Sequence, residues 1–302
     1  MDFHKLLAPS LTGFDKWVVV VALETWVRYF LVAGLAWLLA YVVFKRRWFA
    51  HKIIPRFPES VEVRREIGYS LLTALVYGVV GASTFWMVDR GWTQIYHKTN
   101  GRGQAWFWAS VVVAIFIHDA YFYWTHRLMH HPKLFRRFHL VHHRSTNPSP
   151  WAAYSFAPLE AVVQAGIFPL LLVVMPMHIL AFMTFMLWQI TFNVLGHIGY
   201  EFFPRSWLAG WGGKFLNTPT HHVQHHERMR GNYGLYFNIW DRLMGTNHRE
   251  YELRFAQATA GYRSARSEIM AARIDDDPSP EVDEIRRPCE KEQPTSVESA
   301  AR

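Results

Sequence analysis

The stretch IGYSLLTALVYGVVGASTFWMV, residues 67–88, contains no charged side chain in 22 residues. A helix rises about 1.5 Å per residue, so this segment is long enough to cross a hydrocarbon core about 30 Å thick. Inside a bilayer, a helix satisfies its backbone hydrogen bonds within one segment. The stretch therefore predicts a membrane-spanning α-helix, and the fold class depends on what flanks it.

Further apolar regions lie on both sides of this span. Residues 23–44 form a mostly apolar run, with Glu24 and Arg28 near its start, and residues 105–125 form another. Residues 156–197 are apolar too, but prolines interrupt them at positions 169 and 176. Such interruptions favour a bent helical hairpin that enters the membrane and returns. The sequence therefore predicts an all-α, polytopic membrane helix bundle.

The basic residues between the first two spans predict the orientation of the bundle. The positive-inside rule places a short loop rich in Lys and Arg in the cytoplasm. These residues are Lys45, Arg46, Arg47, Lys52, Arg56, Arg64 and Arg65. Following the crossings onward places residues 127–155 and the chain from Glu201 on the same side. The sequence thus predicts a multi-pass protein whose histidine motifs lie on the cytoplasmic side.

Composition argues against several other classes of protein. The chain is 51% hydrophobic with a net charge of +8, but its basic residues flank apolar segments, which fits membrane orientation better than nucleic-acid binding. The single cysteine, Cys289, excludes an internal disulfide and a thiolate-bound zinc or iron–sulfur centre. We expect no cleavable signal peptide. We interpret residues 1–262 as one membrane-embedded domain and residues 263–302, rich in Asp, Glu, Pro and Ser, as a disordered charged tail.

Histidines are concentrated in one part of the chain. Thirteen of the 17 fall between His118 and His226. The motif HRLMH (126–130) places two imidazoles at i and i+4, and the pattern H-x-x-H-H occurs in both HLVHH (139–143) and HHVQHH (221–226). One H-x-x-H-H is expected roughly 0.05 times by chance. Imidazole suits iron, copper, zinc and nickel, and so many rings exceed the coordination of one ion, so two metal ions are implied.

Spacing also predicts roles for individual side chains. Within each H-x-x-H-H, the i, i+3 pair is expected to share a helix face while the third ring turns to a neighbouring ion. His197 is expected to add a ligand, and Asn193, one turn earlier, is a weak ligand, a holder of water or a hydrogen-bonded polar group. We expect Asp119 to orient a ligand imidazole, the alternative being that it pairs with His118. His221 adjoins a ligand and is interpreted as a supporting or surface group.

These motifs resemble the histidine boxes of the fatty acid hydroxylase and sterol desaturase superfamily of membrane di-iron enzymes. The segment DAYFYWTHRLMHHPKLFRRFHLVHH (119–143) is similar to its first two boxes. TPTHHVQHHERMRGNYGLYFNIWDRLMGT (218–246) is similar to its third box with the following N-Y-G and W-D-R-L-x-G-T patterns. The ending is most similar to the C-5 sterol desaturase and alkylglycerol monooxygenase branches.

The resemblance implies a cytosolic helical cap that holds a dimetal site, with two iron ions as cofactors and O₂ as co-substrate. It implies Asp241, in the pattern after the third box, as a residue that supports the ligands. Carried over by position, the ligands are His126, His130, His139, His142, His143, His197, His222, His225 and His226.

The resemblance further implies hydroxylation or desaturation of a membrane lipid, either sterol-like or fatty-acyl/alkyl. The sequence shows no flavin, haem or iron–sulfur motif, so electrons are expected from a separate cytochrome b5-like or ferredoxin-type protein. Candidate docking cations, which could instead contact anionic lipid headgroups, are Lys133, Arg136, Arg137, Arg144, Arg228 and Arg230. Two alternatives remain: a non-catalytic zinc-binding scaffold, and a metal transporter or sensor, which residues 67–88 disfavour because they carry nothing ionisable.

Overall fold

The computed structural model describes residues 13–98 and 102–260, and most of these residues are helical. Four helices are long and apolar enough to cross a membrane. In the chain-order numbering used below, they are α1 (Phe14–Trp37, continued by a π-helical segment, Leu38–Val43), α3 (Ser60–Asp89), α4 (Gly103–Met129) and α9 (Ile179–Gly196). The predicted all-α fold with several apolar spans is confirmed.

Shorter elements connect the long helices. The helices among them are α2 (Lys45–Trp48), α5 (Pro132–Phe138), α6 (Leu140–His143), α7 (Pro158–Ala165), α8 (Ile167–Val174), α10 (Trp211–Phe215), α11 (Pro219–Arg228), α12 (Ile239–Leu243) and α13 (Tyr251–Thr259). Two short strands, β1 (Ile95–Tyr96) and β2 (Met177–His178), pair in parallel. The His178 ring accepts a hydrogen bond from the Leu180 N–H and so caps α9.

Helices α1 and α3 pack closely at two glycines of α3. A Cβ at Gly78 would lie 2.6 Å from the Val18 carbonyl oxygen, and one at Gly81 would lie 2.6 Å from a methyl carbon of Val21. Small residues let membrane helices approach closely, and the gain is van der Waals contact rather than hydrophobic burial. The opposite face of α1 is apolar and exposed, as Leu31 is (66%), which suits contact with lipid.

The first span begins earlier than the sequence predicts. α1 starts at Phe14, not at residue 23, so Glu24 and Arg28 lie inside the helix rather than near its end. The two side chains form an ion pair at i, i+4. The predicted start was too late because residues 17–22, WVVVVA, are as apolar as the run that follows and belong to the same helix. The paired charges are tolerated inside the span.

The bent hairpin predicted for residues 156–197 is present. Helix α7 gives way to α8 at Gly166, because the ring of Pro169 clashes with the carbonyl of Ala165 and offers it no N–H. Met175 is extended, with φ −143° and ψ 131°, and Pro176 follows before the chain enters α9. Both prolines therefore contribute to the bend.

The chain after α1 contains a buried lysine. Lys52 Nζ lies 3.2 Å from the Tyr41 hydroxyl and 3.3 Å from the Gly199 carbonyl oxygen. It also lies 5.1 Å and 4.9 Å from the ring centres of Tyr41 and Tyr200. Burial lowers the pKa of Lys52 to about 7. Lys52 is one of the seven cations used to predict orientation, but it is buried and does not face lipid headgroups. Its contacts instead connect the segment after α1 with the segment after α9.

Two predictions concern residues outside the described ranges. These are the boundary between residues 262 and 263 and the disordered tail, which contains Cys289. They remain predictions.

Candidate metal centre

Nine histidines meet in two adjoining groups. Within each group the possible ligand atoms lie within 4.8 Å of one another. The five-histidine group comprises His126, His130, His139, His143 and His225, and the four-histidine group comprises His142, His197, His222 and His226. The structure thus brings together all nine imidazoles that the sequence nominates as ligands.

The four-histidine group has nitrogens at the spacing of a common ion. His197 Nε2 lies 3.2 Å from His142 Nε2, 3.0 Å from His222 Nε2 and 3.3 Å from His226 Nε2. Nitrogens bound to one ion at about 2.0–2.1 Å would be about 2.8–3.0 Å apart as octahedral neighbours and about 3.3–3.4 Å apart in a tetrahedral arrangement. The distances fit ligands that share an ion.

The five-histidine group contains nitrogens without hydrogen-bond partners. His130 Nε2 lies 3.1 Å from His143 Nε2. The Nε2 atoms of His126, His139 and His225 are buried and have no hydrogen-bond partner in the part of the chain that the structure describes. Buried polar atoms are nearly always satisfied in folded proteins, and an inward-facing set of imidazole nitrogens is satisfied by a metal cation. The donor set therefore fits the predicted metal.

The histidines that share a group are not the i, i+3 pairs expected from the sequence. His222 and His226, at i and i+4, share the four-histidine group, whereas His225 joins the other group. In the same way, His139 and His143 share a group that excludes His142. The expected i, i+3 pairing was wrong: at 3.6 residues per turn, positions i and i+4 diverge by about 40° and positions i and i+3 by about 60°.

Carbonyl groups orient several of the rings. The Nδ1 atoms of His126, His197 and His225 lie 2.8, 2.8 and 2.7 Å from the backbone oxygens of Tyr233, Asn193 and Gly231, respectively. A carbonyl only accepts, so each Nδ1 donates, and in the neutral ring Nε2 then carries the lone pair. This arrangement aims a metal-binding nitrogen into the site from three different elements.

Burial keeps the imidazoles neutral. Desolvation lowers the pKa of His130 to about 2 and that of His197 to about 4. Desolvation, reinforced by neighbouring rings, also holds the pKa values of His142 and His222 well below the usual range. Neutral imidazole is the form that binds metal.

Glu160 supports the site, and the sequence analysis missed it. Its Oε1 lies 2.6 Å from His139 Nδ1, and both side chains are buried. A carboxylate on the far nitrogen fixes the ring and raises its basicity as a ligand. Glu160 is the only Asp or Glu in residues 156–197, and an isolated carboxylate in an apolar run was the signal that could have found it.

The residues after the third box build a loop beneath the rings. Asp241 accepts hydrogen bonds from the N–H groups of Tyr233 and Gly234, at 2.9 and 2.7 Å, and from the Thr246 hydroxyl at 2.7 Å. It therefore fixes the loop whose Tyr233 carbonyl orients His126. His221 Nε2 lies 3.7 Å from Asp241 Oδ2 and belongs to neither histidine group.

Asp119, another predicted supporting residue, has different contacts from those expected. Asp119 Oδ1 accepts hydrogen bonds from the backbone N–H groups of Tyr236 and Phe237, at 2.8 and 3.1 Å, rather than from a ligand imidazole. It does not pair with His118, whose Nδ1 lies 2.9 Å from the Tyr236 hydroxyl. Both side chains thus hold the loop after the third box against α4.

Asn193 agrees with one of its three predicted roles. Its Nδ2 donates to the Ala153 carbonyl at 2.8 Å, so the side chain is a hydrogen-bonded polar group. It reaches the site through its backbone oxygen, which accepts from His197 Nδ1.

The six candidate docking cations lie on exposed chain beside the histidines. Lys133, Arg136 and Arg137 are exposed on α5, and Arg144 directly follows His143. Arg228 is exposed and pairs with Glu250 at 2.9 Å. A cationic surface is therefore adjacent to the two histidine groups.

Comparisons with known proteins agree with this geometry. A family profile described as fatty acid hydroxylase matches residues 111–246, which include all nine clustered histidines. A Delta(7)-sterol 5(6)-desaturase of Aspergillus fumigatus is 32% identical over 70% of this chain and 69% of its own length. A second one, from Gibberella zeae, is 30% identical over 68% of this chain and 61% of its own length.

A lathosterol oxidase of Mus musculus is 27% identical over 76% of this chain and 73% of its own length. The chain thus spans about three fifths to three quarters of the length of these relatives. No solved structure matches.

Proposed function

Because the chain belongs to the fatty acid hydroxylase and sterol desaturase superfamily of membrane oxidoreductases, we propose that it oxidises a membrane lipid with O₂ at two iron ions held by its clustered histidines. The observation that carries this proposal is the division of nine buried imidazoles into groups of five and four. A single ion takes about four to six ligands, so this set is suited to two.

In this proposal, each histidine group holds one ion. Two bound iron ions would activate O₂, which, with two external electrons, would be the oxidant that cleavage of an unactivated C–H bond requires. The chain's own contribution is geometric: the carbonyls of Tyr233, Gly231 and Asn193, and the carboxyl group of Glu160, fix the rings. Burial of the rings keeps bulk water from the reacting atoms.

A sterol-like lipid is the first candidate substrate. The three relatives described above carry names that specify sterol desaturation or lathosterol oxidation, and the motif after the third box resembles the C-5 sterol desaturase branch. We propose that a lipid in the bilayer reaches the site along the apolar helices. Hydroxylation, and a fatty-acyl or alkyl substrate, are the alternatives that the experiment below distinguishes.

An acidic electron-transfer protein is the proposed partner. Each turnover of such a reaction needs two external electrons, and complementary charge speeds the encounter between redox proteins. The exposed cations Lys133, Arg136, Arg137 and Arg144 suit a cytochrome b5-like or ferredoxin-type donor. The Lys and Arg residues between α1 and α3 support a cytoplasmic location for this surface.

The test is lipid analysis of membranes that contain the protein. Wild type and His142→Ala are expressed side by side, with and without O₂, in a host supplied with sterols. We expect a new O₂-dependent double bond or hydroxyl group in wild type, together with about two iron ions per chain, and neither in the variant. His131→Ala is the control, because His131 is exposed and belongs to neither group.

Two results would contradict the proposal. Unchanged lipids with tightly bound, redox-silent zinc would identify a scaffold. Full lipid oxidation by His142→Ala would remove the four-histidine group from the chemistry.

A further inference from the structure

The membrane-spanning helices enclose a cavity whose lining includes none of the clustered histidines. It has a volume of about 170 Å³ and lies between α1, α3, α8 and α9. Its walls are mostly apolar, with Val21, Phe85, Phe168, Leu172 and Phe182 among them. A cavity of this size is smaller than a typical ligand pocket of about 300–1,000 Å³, so it suits one end of a lipid whose remainder lies in the bilayer.

The cavity contains an unusual polar group for the middle of a membrane span. Glu24 and Arg28 line it, and Arg28 lies near the midpoint of the 30-residue helix Phe14–Val43. Arg28 Nη1 binds the Glu24 carboxylate, but Arg28 Nε and Nη2 are buried and make no hydrogen bond of good geometry to any described residue. Ionisable groups inside a span usually mark a binding site or pathway, and no water is available in the hydrocarbon core to satisfy them.

The charges indicate which chemical group would satisfy Arg28. Glu24 already neutralises the guanidinium, so an anionic headgroup would meet a carboxylate of the same sign. The Tyr154 hydroxyl lies beside Arg28 and donates to Gln189 Oε1 at 2.9 Å, so it offers the guanidinium only an oxygen lone pair and leaves further Arg28 N–H groups to be satisfied. The free Nε and Nη2 atoms are two adjacent donors, which suit an uncharged oxygen acceptor such as a hydroxyl or a carbonyl group.

We propose that this cavity is a lipid-binding site that holds the hydroxyl- or carbonyl-bearing end of an uncharged membrane lipid on the Nε and Nη2 atoms of Arg28. The lipid would enter from the bilayer on the side of Glu24, whose side chain is 45% exposed. The site does not include the histidine groups, and its occupancy does not require a bound metal.

The experiment measures equilibrium binding of radiolabelled cholesterol to full-length protein in phosphatidylcholine nanodiscs. The comparison ligands are 5-cholestene, which lacks the hydroxyl group, and palmitate, which is charged. We expect wild type to bind cholesterol at least about 10-fold more tightly than 5-cholestene, because a hydrogen bond to a charged donor is lost. Arg28→Met is expected to bind both sterols equally weakly.

Further variants separate loss of binding from loss of folding. Leu31→Ala, on the exposed face of the same helix, should bind like wild type. Thr84→Leu fills the cavity while Arg28 stays intact, and it should weaken binding of both sterols. If Arg28→Met is misfolded because Glu24 is left unpaired, the double variant Glu24→Leu, Arg28→Met removes both charges and all the donors and should still lose the preference for cholesterol.

Three outcomes would overturn the inference: equal binding of the two sterols to wild type, tighter binding of palmitate than of cholesterol, or unchanged binding in Thr84→Leu. The same assay on His142→Ala should give wild-type binding. Failure of this inference would therefore leave the proposed oxidation untouched, and failure of the oxidation test would leave this site in place.

Discussion

Two of the regions in which the protein buries nitrogen bases, the histidine groups and the surroundings of Lys52, differ in how they hold them. In the histidine groups, nine imidazoles converge, and several are oriented from behind by carbonyl or carboxylate oxygens. At Lys52, a single amine lies between two tyrosine rings and contacts one carbonyl group. Burial lowers the pKa in both regions. A perturbed pKa alone therefore does not distinguish a metal site from a structural contact; the convergence of many donors does.

The largest expected difference between the two regions is in metal binding. His222→Ala removes a nitrogen that lies 3.0 Å from His197 Nε2, so we expect loss of one ion per chain and a fall in activity of at least about 100-fold. Lys52→Met should keep both ions. Metal content by mass spectrometry checks both variants, and a full complement of metal in His222→Ala would refute the ligand assignment.

The support behind a ligand should matter less than the ligand itself. Glu160→Ala leaves His139 Nδ1 without its carboxylate, and we expect a loss of about 10- to 100-fold in metal affinity or activity. Glu160→Gln keeps an oxygen acceptor and should fall between Glu160→Ala and wild type. Leu159→Ala, at an exposed position of the same helix, is the control. Equal metal affinity in all four proteins would mean that Glu160 is not a support.

Substitutions near Lys52 should change the stability of the protein rather than its metal content. A Cβ at Gly199 would lie 2.7 Å from Lys52 Nζ and 2.8 Å from the Tyr41 hydroxyl oxygen. Gly199→Ala is therefore expected to lower the free energy of unfolding by about 1–3 kcal/mol more than Gly91→Ala. Gly91 has a similar positive φ, 70° against 74°, but a Cβ there meets nothing within 4 Å. Denaturation of the two variants measures the difference, and equal losses would mean that only backbone strain matters.

A pH dependence of stability that originates from Lys52 is also expected. Its pKa is about 7 in the folded chain against 10.5 for the ordinary side chain, so the unfolded state binds more protons between these values. Stability should therefore rise with pH across this window, and below about pH 7 this contribution should be constant. The melting temperature of wild type relative to Lys52→Met should increase by a few degrees from pH 7 to pH 10. A constant difference would show that Lys52 titrates normally.

Sequence patterns predicted the components of the site better than its internal arrangement. The spacing of HRLMH and of the two H-x-x-H-H motifs identified eight histidines, because imidazoles repeated within one turn of a helix are rare unless they bind a metal. Which group His142 and His225 join depends on the small difference in helical angle between positions i+3 and i+4. The spacing of residues in the sequence did not reveal it. Glu160 was missed because its partnership with His139 joins segments that are distant in the sequence.

The membrane region shows the same limit. Residues 67–88 predicted a span because absence of charge is a property of one segment, and α3 contains them. The start of α1 was predicted too late, since the limits of an apolar run do not fix how far the helix continues beyond it, and the pairing of Glu24 with Arg28 was not predicted. Asp119 was assigned to an imidazole because a carboxylate in a span needs a partner, but backbone N–H groups of a loop more than 100 residues later fill that need.

Adjacent residues serve different histidine groups at two places, His142 with His143 and His225 with His226. At each of these two places, one peptide bond connects a ligand of one ion to a ligand of the other. A ring that moves to bind one ion therefore also moves the backbone that carries a ligand of the second ion. Iron uptake by the empty protein should consequently be cooperative: a titration should pass from the unloaded to the doubly loaded form with little of the singly loaded species.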